Sequence, residues 1–281
     1  MATTLKGISV DEIERRLDSL ETHDQSGQRT SVLTHMAWVP PKWSRAAERV
    51  LEGLGARVPS RTLILHPDPG SRGDRLDARI EHELVPGEGH ANVCAEVVHL
   101  WLRGRTAKVP GSVVVSLLLP GLPAFLRWRG KPPFGKPEFE QLVEVADRLI
   151  VDSGEWPGLP GAYGRFADVF DRVVVSDLAW ARTLSWRAGL ADLWPGIKKA
   201  GSLRITGPKA ETLLIGGWLR SRLGKAVSLR RTDARSLRRI EVDGEPVHPA
   251  HLPAASASDL LSEQLEVYGR DRVYEAAVRA L

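Results

Sequence analysis

The spacing of hydrophobic positions changes several times along the chain, and each change marks an element. In "SVDEIERRLDSLE", Ile13, Leu17 and Leu20 fall on one stripe, Ser9 can cap and Glu12 completes a capping box, which predicts a leading helix. "RTSVLTHMAWV" is β-rich and reads as a strand. "PKWSRAAERVLEGLGAR" follows as a helix starting after Pro41, with Trp43, Ala47, Val50, Leu51 and Leu54 apolar and Gly53 or Gly55 near its end. "SRTLILH" is then a short buried strand, stopped by Pro67 and the turn "DPGSRGD". This strand–helix–strand order implies a parallel α/β unit.

Further strands fit "LDARIEHELV" and "NVCAEVVHLWL", joined through "PGEGHA". "SVVVSLLL" is apolar on both faces, as a covered central strand would be. "AFLRWRG" reads as a strand, "EFEQLVEVAD" as a helix, and "RLIVDS" as a strand ending at Asp152 and Ser153. The turn-rich "GEWPGLPGAYG" is the expected junction between an N-terminal domain, 1–160, and a C-terminal domain, 161–281. The second half repeats the α/β alternation. It has the turn or helix "RFADVF", strand "RVVVS", a Trp/Arg-rich helix, strand "SLRITG", helix "PKAETLLIGGWLRSRLG" between Pro208 and Gly224, and strands "AVSLRR" and "LRRIEVDG". A final helical stretch is interrupted near Gly269. The expected fold is α/β, with mixed, largely parallel sheets, flanking helices and two α/β domains.

Composition narrows the chemistry. The 39 Lys+Arg and 35 Asp+Glu leave a formal net charge of +4, a mild bias toward acidic partners that does not demand nucleic acid. The single cysteine, Cys94, excludes an intrachain disulfide and a cysteine-rich zinc site, and reads as a small core residue. No apolar run reaches membrane-spanning length, and the N-terminus lacks the apolar segment of a signal peptide, so the expectation is a soluble cytoplasmic protein.

Catalytic signatures are near-misses. "GWLRSRLGK" has six residues between Gly217 and Gly224 and Ala226 after Lys225, which does not make a phosphate-binding loop. No Gly-x-Gly-x-x-Gly follows a strand, and no Gly-x-Ser-x-Gly elbow occurs. "HELVP" lacks the second histidine of a zinc helix, and "HPAH" (His248 to His251) has no third ligand nearby. The expectation is no catalytic residue, no metal and no cofactor.

The basic run from Arg220 to Arg239 carries the case for nucleic acid, but it holds no aromatic side chain on which bases could stack. Alternating arginines on the exposed face of a hairpin, or a docking face for an acidic protein, are the other readings. Nucleic acid ranks last.

"VVVSDLAWARTLSWRAGLADLW" holds the strongest cluster. Ser176 or Asp177 can cap a helix, one side of which would carry Trp180, Leu184, Ala191 and Trp194, and the other Leu178, Trp186, Leu190 and Leu193. Arg182 stands one turn before Trp186, a spacing that permits a cation–π contact worth about 0.5–1 kcal/mol. Arg187 falls inside the first apolar face. A buried core helix with snorkelling arginines explains this pattern, and so does an interface, where Trp and Arg are enriched. The strand-end position favours a site.

"SDLAWARTLSWR" also resembles the Asp-Leu-x-Trp-x-Arg…Trp-Arg signature of the glucose-6-phosphate dehydrogenase assembly protein family, OpcA. "SRTLILHPD", "VVVSLLLPGLPAFLRWRG" and "AETLLIGGWLRSRLG" agree in order, so the similarity runs from about Arg29 to Val242. Many relatives place a proline before the second tryptophan; Ser185 stands there here, which would leave the helix continuous.

The resemblance implies a non-catalytic protein that binds glucose-6-phosphate dehydrogenase, promotes its active oligomer and raises its substrate affinity. Cys94 alone offers no intrachain thiol switch. Candidate partner-binding residues are Asp177, organising the turn, with Trp180, Arg182, Trp186 and Arg187; Arg127 and Trp128 form a second patch. On this reading Arg182→Ala would lower activation without lowering the thermal midpoint. The alternative is a sugar-phosphate- or nucleotide-binding enzyme or sensor with an anion site around Asp177, Arg182 and Arg187.

Overall fold

The computed structural model describes residues 2–23, 31–51, 54–86, 92–253 and 255–281. The "PGEGHA" turn, Gly53 and the side chains of Leu20 and Cys94 lie outside what is described. The chain forms two α/β units, 1–150 with 257–268, and 151–256 with 269–281.

The first unit runs β1 (Ala2–Leu5), α1 (Val10–His23), β2 (Leu33–Trp38), α2 (Ser44–Leu51), α3 (Leu54–Arg57), β3 (Ser60–Asp68), β4 (Arg75–Pro86), β5 (Asn92–Arg103), α4 (Pro110–Val114), β6 (Ala124–Trp128), α5 (Pro137–Glu144) and β7 (Arg148–Val151). Its strands lie in the order β1-β4-β5-β3-β2-β6-β7. β5, β3, β2, β6 and β7 are parallel, and β4 pairs antiparallel with both β1 and β5. From β2 the chain winds outward to β3 and β5, then returns to the other side of β2 for β6 and β7. This is a doubly wound order with its reversal between β2 and β6.

Two expectations need correction here. "SVVVSLLL" is not a strand: Pro110 opens the short helix α4, and a 3₁₀ turn follows at Val115–Leu117. A short apolar run has no period to tell strand from buried helix, and the burial of Val113, Val114 and Leu117 is what both readings require. β3 also continues through Pro67 to Asp68, because Pro67 still pairs by register with Leu102 of β5.

The second unit contains α6 (Gly161–Ala167), β8 (Val174–Asp177), α7 (Leu178–Ala181), α8 (Leu184–Ala191), β9 (Ser202–Gly207), α9 (Lys209–Leu223), β10 (Ser228–Asp233), β11 (Arg239–Val242) and β12 (Glu245–Val247). The chain then supplies α10 (Ala257–Glu266) to the first unit and α11 (Arg272–Arg279) to the second. β9 to β12 form a four-stranded sheet in the order β10-β9-β11-β12, with β10 parallel and β11 antiparallel to β9. The basic run is therefore no hairpin, since β10 and β11 lie on opposite sides of β9.

α9 starts after Pro208 and ends at Gly224, whose φ of 62° gives the left-handed cap expected of a terminal glycine. Its Gly-Gly pair lets the helix be gripped from two sides. A Cβ on Gly216 would lie 2.8 Å from Leu229 of β10, and one on Gly217 only 2.2 Å from the Ala277 carbonyl oxygen of α11. Gly217→Ala must push α11 away and is expected to cost about 1–3 kcal/mol. Gly164→Ala, at a place in α6 where a Cβ meets nothing within 4 Å, should gain up to about 1 kcal/mol. Urea denaturation of the two variants checks both signs.

Candidate functional site

The conspicuous polar group of the second unit is built on Asp177. The residue ends β8 in an extended conformation and caps α7, its Oδ1 accepting the Ala179 N–H at 2.9 Å. The same oxygen accepts the Ser153 N–H at 3.0 Å, while Oδ2 accepts the Ser153 hydroxyl at 2.5 Å and the Tyr274 hydroxyl at 3.0 Å. The Tyr163 hydroxyl donates in turn to Ser153 Oγ at 2.8 Å. An ionised carboxylate has about four acceptor sites, and here each is used. Burial pushes the Asp177 pKa up to about 6, helped by the charge of Asp152 and opposed by the hydrogen bonds from Ser153 and Ala179. Burial, then the Asp177 charge, also raises Tyr163 and Tyr274 well above the usual phenol range.

Arg182 sits beside this hub in a double clasp. Its Nη1 and Nη2 donate to Asp152 at 2.9 and 2.7 Å, and its Nε to Glu211 of α9 at 2.8 Å. Burial alone would lower the guanidinium pKa, but the two carboxylates outweigh it and raise the value. Gly154 packs close beneath the clasp: a Cβ there would lie 2.9 Å from both Arg182 Nη2 and Asp152 Oδ1 and would displace those side-chain ends. The Arg182 side chain remains 35% exposed, against 13% for Asp152 and 5% for Glu211.

The helix expected to run unbroken from Asp177 is two helices. α7 ends at Ala181, where the Thr183 hydroxyl donates to the Trp180 carbonyl at 2.6 Å, and α8 begins at Leu184. The break occurs without a proline at Ser185, and it rearranges the expected wheel. Arg182 turns to its carboxylates and does not stack on Trp186. The cation–π pair is Arg187 over Trp180, 3.4 Å from the ring centroid, with Arg187 Nε donating to Thr183 at 2.9 Å. Burial lowers the Arg187 pKa to about 10, partly offset by Asp271. Trp180 Nε1 donates to Asp271 at 2.7 Å, and Asp271 caps α11 by accepting the Tyr274 N–H at 2.9 Å.

Of the residues singled out in the sequence, this group unites Asp177, Trp180, Arg182 and Arg187. Trp186 is buried on α8 outside the hydrogen-bonded set, and Trp194 lies past the end of α8 with 45% of its surface exposed. Arg127 and Trp128 belong to the first unit and are not exposed strand-end residues. Arg127 donates to the Trp128 and Ile150 carbonyls at 2.5 and 3.4 Å. Trp128 stacks on Trp38 at 4.8 Å. Both are under 5% exposed, so neither side chain is presented to a docking partner.

Sequence reasoning missed Asp152, Ser153, Tyr163, Glu211, Asp271 and Tyr274 as members. The strand-end rule already pointed at Asp152 and Ser153; the other four carry no local signal. Among the described residues no group of three or more His, Cys, Asp or Glu could hold a metal ion, and no helix is long and apolar enough to cross a membrane.

Doubly wound proteins offer a ligand crevice at the sheet reversal, which in the first unit lies between β2 and β6. Trp43, just past β2, carries the Arg129 guanidinium 5.0 Å from its ring, and the Arg129 N–H bonds the Trp38 carbonyl at 3.1 Å.

In this two-part α/β chain, Asp177, Trp180, Arg182 and Arg187 are thus bonded to internal partners. Comparison with known proteins bears on its class. Residues 52–168 match the family model described as the glucose-6-phosphate dehydrogenase subunit N-terminal domain, and residues 173–278 the corresponding C-terminal domain. The chain belongs to the OpcA family of glucose-6-phosphate dehydrogenase assembly proteins. It is 30% identical over 239 residues to the "Putative OxPP cycle protein OpcA" of Synechococcus elongatus, covering 75% of this chain and 53% of that protein. The like-named proteins of Nostoc punctiforme and Synechocystis are 27% identical over 186 residues and 24% over 238. These cover 62% and 79% of this chain, and 40% and 49% of theirs. The chain thus spans about half the length of the curated relatives it matches.

The clasp reverses the expectation for Arg182→Ala. Removing the guanidinium strands Asp152 and Glu211, so stability should fall by about 2–3 kcal/mol, less than the roughly 3–5 of a fully buried pair because a third of the side chain meets solvent. Thermal melting of the variant checks this.

Asp177 makes a separate pH signature. The folded carboxyl keeps its proton to about pH 6, whereas an unfolded aspartate loses it near 3.9. Its contribution is therefore full below about pH 4 and lost as pH rises through about 6. Relative to Asp177→Asn, the native protein should lose about 2–3 kcal/mol between pH 4 and 6 and then level off. A stability difference that does not vary with pH would contradict the raised acidity.

Proposed function

We propose that this chain is a non-catalytic assembly factor that binds glucose-6-phosphate dehydrogenase in the cytoplasm, promotes its active oligomer and raises its substrate affinity, serving the oxidative pentose phosphate pathway. The observation that carries this reading is that both halves of the chain match the two domains of one assembly family. The internal consumption of the signature's ionisable groups supports it further. An anion site would need Asp177, Arg182 and Arg187 to turn toward a ligand. Instead Asp177 has its acceptor sites filled, Arg182 is held by two carboxylates, and Arg187 lies on Trp180. Asp152, Asp177 and Glu211 together would repel a sugar phosphate or a nucleotide.

In this reading the cluster is a rigid mount. Asp177, Trp180 and Trp186 hold α7 and α8 in place, while Arg182 and the exposed Leu184, Leu193 and Trp194 are open to a partner. An activator works only through stronger binding to the competent enzyme state. A tenfold gain in apparent substrate affinity needs about 1.4 kcal/mol of preference, within reach of one well-placed Trp or Arg contact.

The test is a dehydrogenase assay at low glucose 6-phosphate, with the enzyme of the same organism, in the presence and absence of this chain. The expected outcome is a lowered apparent KM with a shift to the larger oligomer by mass photometry. An unchanged KM together with an unchanged mass distribution would refute the assembly role.

A further inference from the structure

In the four-stranded sheet of the second unit α9 packs against β9 and β10 on one face, where Leu203, Ile205 and Ile240 are buried, and the other face is open. Strand alternation fixes what the open face carries. Ser202, Arg204 and Thr206 of β9 stand beside Ser228, Arg230 and Thr232 of β10 in direct register, and Arg239 and Glu241 follow on β11. Arg204 therefore lies directly opposite Arg230 on the same face, and like charges so placed are unfavourable in an isolated sheet.

One side of that pair is compensated. Glu241, 6% exposed, accepts from Arg204 Nη1 at 3.0 Å and pairs also with Arg239. The other side is not, because no carboxylate among the described residues lies within ion-pairing distance of Arg230. The surroundings form a shallow depression of about 250 Å³ lined by Ser202, Arg204, Ser228, Arg230, Glu241 and Gly244.

We propose that this open face docks an acidic surface of a partner protein, with an Asp or Glu side chain of the partner seated between Arg204 and Arg230. The occupant follows from charge complementarity. Three guanidiniums outnumber the carboxylates of Glu241 and of Asp243, which accepts from the Ser202 hydroxyl at the rim, and leave the face cationic; Glu241 pairs with two of the guanidiniums, an arrangement suited to forked hydrogen bonds with carboxylates. A nucleic acid strand fits less well, since no aromatic ring stands on the face for stacking and Glu241 sits in the path of a phosphodiester. The inference rests on the assembly reading for the identity of the partner, glucose-6-phosphate dehydrogenase.

Arg230→Glu tests it, since Arg230 carries no internal ion pair to break; Arg230→Gln is the milder form, and Arg165→Glu on α6 is a control of equal charge change. Affinity for the dehydrogenase is measured by interferometry at low and high salt, with thermal melting of each variant. Arg230→Glu should weaken binding at least tenfold at low salt and reduce the salt dependence, Arg230→Gln should weaken it several-fold, and Arg165→Glu should stay within twofold, all with unchanged melting. Native affinity in Arg230→Glu would overturn the docking face while leaving the assembly reading intact. A native chain that forms no complex with the dehydrogenase would overturn both. Duplex or single-stranded DNA bound more tightly than the dehydrogenase, and released by Arg230→Glu, would make the face a nucleic-acid surface and overturn the proposal.

Discussion

Placing a carboxylate in an interior is unfavourable unless its oxygens are satisfied, and the second unit is organised around meeting that requirement at Asp177. The donors come from the turn after β7, the first turn of α7 and the helix α11, with α6 contributing through Tyr163 and Ser153. Each donor is useful only if its element is correctly placed, so the carboxylate converts several separate packing choices into one cooperative arrangement. The aromatic residues follow the same geometry. Tyr274 meets Phe170 and Trp180 at 5.6 Å, and Trp156 and Phe166 extend the packed rings toward Tyr163.

Seen from that hub, the tryptophans and arginines of the signature play distinct parts. Trp180 is fastened by Arg187 over its ring, by the tilted ring of Tyr274 and by Asp271 at its indole N–H. Arg182 joins the end of β7 to α9 through Asp152 and Glu211 while keeping part of its surface in solvent. The Trp/Arg stretch thus reads here as the internal framing of a surface, with the framing more buried than the surface it supports.

Much of the fold was legible where a residue type has one dominant local use. Pro208 and Gly224 bracket α9, Ser9 accepts the Glu12 N–H at the start of α1, and Asp177 caps α7. Legibility failed where two structures satisfy the same local pattern. "SVVVSLLL" is equally apolar as strand or helix, and Pro110 with Gly111 decided for the helix. The break at Arg182–Thr183 depends on a hydroxyl turning back to a carbonyl, which no period reveals, and it moved the cation–π partner from Trp186 to Trp180. The hub itself could only be half seen. Asp177, Asp152 and Ser153 advertise themselves at strand ends, but the Tyr274 bond to Asp177 spans 97 residues of sequence.

The route of the chain between the two units has a practical meaning. After completing the four-stranded sheet it contributes α10 to the first unit, where Asp259 pairs with Arg57, and only then returns for α11. No single cut yields two intact halves, because cleavage near residue 150 would separate α10 from the sheet it belongs to. Dissection of this protein into independently expressed pieces therefore calls for grafting or circular rearrangement, with simple truncation leaving one fragment short of a helix.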